Sequence, residues 1–391
     1  MTPMHPRCLR DRLVRALGRH PVVVLLGARR VGKTALVRAL ARRRGASYHD
    51  LAHPETQARA RRGLEAFVGG LRLPAVLDGL EHLPGLAHAV RRRAEAGLPA
   101  GSVLVTAGSV PAALARLIRS PQARAAVLTL HPLSLAERGG ACFDLFERLA
   151  EPPSGPPPES WEVAYRAGGL PELKDLARDD REEWWRTYLS VLGGRARTKE
   201  AERERPLLAL LAREGPALLN KTRWAQELGR SYLGLERALD RLEGRGWLLR
   251  LPAWAPAGFK GLARQPRLAL FDTGLAGHLT GTRYPGWRER AFRLFVLLEL
   301  LRHAGFAGLR PYHLRSYAGR AVDLLLKRPD GRLLAFALSP ARRPAEADLG
   351  GLGWLRNRLG ERLAAGYLIH AGEEAGAVAG FPAVPFRVLW P

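Results

Sequence analysis

Between Val22 and Arg44 the chain reads VVVLLGARRVGKTALVRALARRR, with Gly27, Gly32, Lys33 and Thr34 at the spacing G-x-x-x-x-G-K-[ST]. Those residue types suit a polyphosphate. Glycines let backbone N–H groups turn inward, the lysine brings a point cation, and the hydroxyl can enter the shell of a divalent metal. Gly27, Ala28, Arg29, Arg30, Val31, Gly32, Lys33, Thr34 and Ala35 thus form the candidate cradle for a nucleoside triphosphate, with Thr34 as a ligand of its Mg²⁺. The flanks are the elements such a cradle needs. Val22 to Leu26 reads as a buried parallel strand, and Leu36, Val37, Leu40 and Ala41 recur at helical spacing, so that a helix N-terminus would face the phosphates.

A second strand-like run, LPAVLDGLEHLP, ends in Asp78, where a carboxylate at the end of a neighbouring strand could hold Mg²⁺ through water. Hydrolysis also needs a group that orients water, often a glutamate directly after that aspartate. Gly79 stands there, and Glu81 is the nearest acid that could approach from the following turn. VTAGS closes a third strand and offers Thr106 and Ser109 as sensors of a γ-phosphate. Arg124, ahead of a fourth strand, has the chemistry of an arginine finger, acting in its own subunit or in a neighbour's. No Asn-Lys-x-Asp pattern for reading guanine is evident, which favours ATP.

Four strand candidates, Val22 to Leu26, Ala75 to Leu77, Ser102 to Thr106 and Ala126 to Leu130, alternate with helical stretches. That alternation predicts an α/β fold, with a parallel sheet whose carboxyl ends carry the ligand. EPPSGPPPE, residues 151–159, breaks both periodicities and predicts a linker. Three amphipathic helices and a strand follow between Pro206 and Trp254, a winged helix-turn-helix pattern that would expose Arg230, Tyr232, Arg237 and Arg241. Its alternatives are DNA recognition and domain packing. The remainder predicts a further α/β domain: a long helix from Glu289 to His303, a hairpin turning at Pro329-Asp330-Gly331, a helix from Asp348 to Leu363, and strands at Ala365 to Ile369 and Phe386 to Leu389.

A length of 391 residues predicts several domains, and a net charge of +25 predicts an anionic partner, with duplex DNA foremost. Only six of the basic residues are lysines, so the arginine excess also carries the stamp of a GC-rich genome. Cys8 and Cys142, far apart and in no paired motif, predict neither a disulfide framework nor a zinc site. No signal-like or membrane-length apolar run occurs, so a cytoplasmic protein without a membrane partner is expected.

GARRVGKTALV (27–37), VLDGLEHLP (76–84), TAGS (106–109), QARAAVLTLHPLSLAE (122–137), GGLPE (168–172) and FDTGLAGHLTG (271–281) stand in an order and spacing that resemble a known group. They look like the large prokaryotic AAA-type ATPases in which a P-loop domain precedes a winged helix and a C-terminal restriction-endonuclease-like domain of unknown function. The resemblance spans nearly the whole chain. It implies a P-loop core at 1–150, a linker and helical lid at 151–205, a winged helix at 206–260 and a degenerate nuclease-like domain at 261–391. It further implies ATP and Mg²⁺ as cofactors, Lys33 and Thr34 on phosphate and metal, Asp78 on the metal, Ser109 as sensor and Arg124 as finger. Gly79 departs from the group's usual Asp-Glu pair and points to slow turnover, or to a DNA-binding regulator that holds nucleotide without hydrolysing it. A nuclease of this fold would need a helix Glu, a strand Asp and a Glu-x-Lys pair to hold its metal. Only Asp323 is present. The helix position falls on Arg293, with Glu289 or Glu299 nearby, and the pair falls on Phe336 and Leu338. The expected action is that of an ATP-gated switch working with nucleic acid, a protein partner or a second copy of itself.

Overall fold

The computed structural model describes residues 5–191, 198–256, 258–281 and 284–391. The chain folds as two compact units: Met1–Pro132 with Arg241–Trp247, and Leu133–Asp240 with Leu248–Pro391. The first unit's main segment ends at Pro132, and Ser134 to Glu137 packs into the second unit.

The first unit runs α1 (Leu9–Leu17), β1 (Val22–Leu26), α2 (Lys33–Arg44), β2 (Ser47–Asp50), α3 (Pro54–Arg61), α4 (Leu64–Gly69), β3 (Ala75–Asp78), α5 (Leu86–Glu95), β4 (Val103–Ala107), α6 (Ala112–Arg119) and β5 (Ala126–Thr129). The five strands pair in parallel in the order β2-β3-β4-β1-β5. Val24 faces Val105 on one side and Val127 on the other, so the VVVLL run lies in mid-sheet and is buried on both faces. Each such side chain contributes about 1.5–3 kcal/mol by leaving water. The edge strand β2 was not among the expected strands. Its sequence, SYHD, is polar and half-buried throughout, and only its pairing with β3 makes it a strand. A second correction bears on the site: β3 is not the neighbour of β1, because β4 lies between them.

The second unit begins with α7 (Leu135–Arg138), α8 (Leu145–Arg148), α9 (Trp161–Ala167), α10 (Arg178–Val191) and α11 (Thr198–Glu214). Next come β6 (Ala217–Leu218), α12 (Lys221–Glu227), α13 (Tyr232–Gly244), β7 (Leu248–Leu251) and β8 (Arg267–Leu270), whose strands form a small sheet in the order β6-β8-β7. From Arg241 to Trp247 the end of α13 and the turn after it belong to the first unit. After α14 (Thr273–Thr280) and α15 (Trp287–Ala307) the chain forms β9 (Arg310–Arg315), β10 (Ala321–Lys327), β11 (Leu333–Ser339), α16 (Leu352–Leu359), β12 (Leu363–His370), β13 (Gly376–Val378) and β14 (Phe381–Pro385). These six strands make a mixed sheet, β13-β14-β12-β11-β10-β9, antiparallel across β9-β10-β11 and parallel across β11-β12-β14. Phe386–Leu389, expected as a strand, is a 3₁₀ turn, and the helix expected over 348–363 keeps only Leu352–Leu359 in α form because Gly350 and Gly360, both at positive φ, bound it.

Three of the quoted motifs turn out to be packing devices of this unit. The buried Asp272 carboxylate caps α14 through the N–H groups of Gly274 and Leu275, and it accepts a third N–H from Gly169 at 2.8 Å. A Cβ on Gly168 would lie 2.5 Å from the Asp272 carboxylate, so GGLPE and FDTG can meet only through glycines. In HPLSLAE, Ser134 and Glu137 form a capping box, and the N–H of Leu135 donates to the buried Glu299, itself paired with Arg302. Neither cysteine is free: Cys8 and Cys142 are both disulfide-bonded, contrary to the expectation. No helix among the described residues is long and apolar enough to cross a membrane.

Two buried histidines stand out in the second unit. Burial, then the charge of Arg302, lowers His303 to about 3, and burial, then Arg267, lowers His313 to about 4. Folded, both stay neutral; unfolded, they take up protons near pH 6.5. Their stabilisation is therefore complete above pH 6.5 and is lost as pH falls through 6.5 toward those folded values. Each contributes a slope of about 1.4 kcal/mol per pH unit in that window. The raised Asp272 and Glu299, driven up chiefly by burial, act in the opposite sense. His303→Phe leaves those carboxylates in place, so chemical denaturation of wild type and variant between pH 7 and 4 should give a shallower loss of stability in the variant.

Candidate functional site

The loop between β1 and α2 is held at both ends. A Cβ on Gly27 would fall 2.4 Å from the Leu130 carbonyl oxygen, so only glycine lets β1 turn off beside the end of β5. Gly32 is left-handed at φ 97° and starts α2 without a side-chain cap. Arg30, at φ 63°, is also left-handed. The Lys33 ammonium donates to the carbonyls of Gly27 at 2.7 Å and Ala28 at 2.9 Å, spanning the mouth of the loop. Burial lowers its pKa; the charges of Glu81 and then Asp78 oppose that, and Arg29 adds to it. Thr34 and Ala35 are exposed at the helix start, as are Arg29 and Arg30 on the loop.

Asp78 is buried at the end of β3 and is gripped on both oxygens. The Thr106 hydroxyl donates to Oδ1, and the Tyr48 hydroxyl donates to Oδ2 at 2.6 Å. Thr106 in turn accepts the Gly79 N–H at 2.8 Å. Thr106 thus donates to Asp78 and accepts from the residue after it, which orients that carboxylate. Tyr48 is backed by Arg38, whose Nε donates to its oxygen at 2.9 Å and whose guanidinium pairs with Asp50. Burial, then the bond to Asp78, raises the Tyr48 pKa, so the phenol stays a donor.

Gly79 is left-handed, φ 86°, and turns the chain into a 3₁₀ segment, Leu80–His82. That turn brings the Glu81 carboxylate back to the end of β4, where it accepts the Gly108 N–H at 3.0 Å and acts on Lys33. Ser109 follows Gly108 on the same edge, half-buried. Arg124 does not join them. It precedes β5, with His20 Nδ1 3.0 Å from its carbonyl oxygen, at the amino ends of the strands. That is roughly 15 Å along the sheet from the loop.

Two supports had no signal in the sequence. Arg7, buried near the N-terminus, donates to the Val31 carbonyl at 2.5 Å and to the His131 carbonyl at 2.6 Å, pinning the loop to the end of β5. Tyr48 is the other, hidden because nothing in SYHD announces a strand. Among the described residues no group of three or more His, Cys, Asp and Glu side chains could hold a metal unaided. Thr34 and Asp78 fit a Mg²⁺ whose remaining ligands come from phosphate and water.

Residues 19–138 match the AAA domain family AAA_14. The likeness to AAA domains lies in this segment. Residues 159–285 match a domain of unknown function, DUF8612. Uncharacterized proteins of Mycobacterium bovis and Mycobacterium tuberculosis are each 27% identical over 354 residues, covering 86% of this chain and 76% of theirs. The Walker-type ATPase of Pyrococcus abyssi is similar in structure, with 17% identity and a TM-score of 0.43 over 69% of this chain and 94% of that one.

Gly79 directly follows Asp78. A side chain there meets both a left-handed backbone and the His82 ring, 3.1 Å from the added Cβ. Gly79→Glu should therefore lower stability by about 1–2 kcal/mol and lower the melting temperature, read by calorimetry, without raising turnover.

Proposed function

We propose that the AAA-type domain binds ATP with Mg²⁺ and hydrolyses it slowly, as a switch. One observation carries the reading: the loop with Lys33, the doubly held Asp78 and the returning Glu81 all meet at the carboxyl ends of one parallel sheet. Loop N–H groups and Lys33 bind the phosphates. Thr34 and, through water, Asp78 hold Mg²⁺, which when bound draws charge from the phosphate oxygens. Thr106 and Tyr48 keep Asp78 aimed. Glu81, tethered to the Gly108 N–H, orients the attacking water, and Ser109 is the polar group next to it at the γ-phosphate. Arg124 completes the site from a second copy of the chain.

Nucleic acid is the partner this reading favours. The order α11-β6-α12-α13-β7-β8 with its three-stranded sheet supports a winged helix, and Tyr232, Arg237 and Arg241 lie exposed on α13. The order α15-β9-β10-β11-α16-β12 with Asp323 on β10 supports a nuclease-like scaffold. We read that scaffold as non-cleaving. Burial pushes the Asp323 pKa up, but Arg293 and then Arg267 outweigh it and hold the group below its ordinary range. Arg293 lies 3.0 and 2.8 Å from the two oxygens, Arg267 lies 3.0 Å from Oδ1, and the Leu338 N–H donates to Oδ2 at 2.9 Å. Two guanidinium groups thus stand where a metal would need that carboxylate. A second reading, nucleotide held without turnover, is favoured by Gly79.

Nucleotide binding and steady-state hydrolysis, with and without duplex DNA and across a protein concentration series, test both. Lys33→Ala should lose Mg-ATP binding while remaining folded. Thr106→Val should weaken Mg²⁺-dependent affinity about tenfold, the usual effect of removing one hydrogen bond to a charged group. Glu81→Gln should keep binding and lose turnover by about 100-fold or more. Binding without turnover in wild type under every condition would select the second reading, and unchanged affinity in Lys33→Ala would refute the site.

A further inference from the structure

The P-loop receives one segment from far outside the AAA-type match. Arg241–Trp247 belongs to the first unit, more than 100 residues after the end of that match. The segment is the C-terminal turn of α13. Its backbone closes with the Gly246 N–H on the Glu243 carbonyl at 2.8 Å and the Trp247 N–H on the Leu242 carbonyl at 2.9 Å, and the Leu242 and Trp247 side chains are buried.

Gly246 is constrained twice. Its φ of 71° is left-handed, and a Cβ built on it would lie 2.9 Å from the Ala28 nitrogen and 3.2 Å from the Ala28 Cα. The neighbour is backbone and cannot swing aside. The Ala28 carbonyl is one of the two that hold Lys33. Gly229, which ends α12 in the same way at φ 60°, has nothing within 4 Å of its own added Cβ. The close approach therefore belongs to the loop contact and not to this kind of helix ending.

We propose that the turn Arg241–Trp247 is the back wall of the nucleoside triphosphate site, and that Gly246 is a positioning residue which sets Ala28, and through it the phosphate cradle and Lys33. The inference rests on the nucleotide-binding reading above. It makes the affinity for Mg-ATP depend on a residue that touches no phosphate.

The test compares Gly246→Asn and Gly246→Ala with Gly229→Asn and Gly229→Ala in the full chain. Asparagine tolerates the left-handed backbone, so Gly246→Asn adds the Cβ with little strain, and the Gly229 pair supplies the strain without the contact. Titration with a fluorescent ATP analogue in Mg²⁺ reads affinity, and thermal melting reads stability. Both alanine variants should lower the melting temperature, Gly246→Ala further because its Cβ also meets the Ala28 backbone. Both Gly246 variants should weaken Mg-ATP binding about tenfold or more, and both Gly229 variants should stay within about twofold of wild type. Gly246 variants that bind as tightly as wild type, or as their Gly229 counterparts, overturn the inference and leave the site intact. Wild type that fails to bind Mg-ATP overturns the underlying reading and this inference with it.

Discussion

A buried carboxylate is costly to keep charged, and Asp78 is kept in one orientation by hydroxyls that come from two other strands. Thr106 reaches it from β4 and Tyr48 from β2, so its setting depends on the parallel register of β2, β3 and β4. The P-loop hangs from β1, on the far side of β4. A slip of one residue in any of these pairings would turn Thr106 or Asp78 to the opposite face of the sheet and dismantle the arrangement. The apolar runs of β1, β3 and β4 hold that register by burial, which is how the hydrophobic core reaches the chemistry.

Gly79 gains a physical meaning from the same corner. In place of an acid directly after Asp78, the chain uses that position for a left-handed turn, and the acid that returns toward Lys33 is Glu81. The Gly108 N–H holds that carboxylate, and Gly108 itself has no room for a side chain, since a Cβ there would lie 2.8 Å from Glu81 Oε1. Two glycines thus serve a single carboxylate, Gly79 by its left-handed turn and Gly108 by the space it leaves. In the second unit the buried charges follow the same rule of close pairing: Asp323 faces Arg293 and Arg267, Glu299 faces Arg302, and Asp272 is met by three N–H groups.

The loop, its strand and its helix were legible in the sequence because all their determinants are local: glycines at fixed offsets, a β-branched run and a 3.6-residue apolar period. Asp78 was legible for the same reason, as the polar end of an apolar run. Tyr48 and Arg7 were not, since a half-buried SYHD strand and an arginine near the chain start acquire their roles only from partners about 30 and 124 residues away. Arg124 was legible only in part. Its place before a strand was readable, but which end of the sheet that strand begins from, relative to the loop, was decided by parallel pairing with β1.

The sequence by itself determined the groups on offer: a glycine-rich loop with a lysine, an aspartate at the end of an apolar run, a glycine directly after it and a surplus of arginine. Local spacing suffices for that, because a loop between a strand and a helix closes within a dozen residues. Tertiary structure alone decided which residues share a site. It set Thr106 on Asp78, returned Glu81 to Lys33, placed Arg124 at the opposite end of the sheet and brought Gly246 against Ala28. Each of those contacts depends on strand order and chain return, quantities fixed by the packing of distant segments and written in no single stretch of the chain.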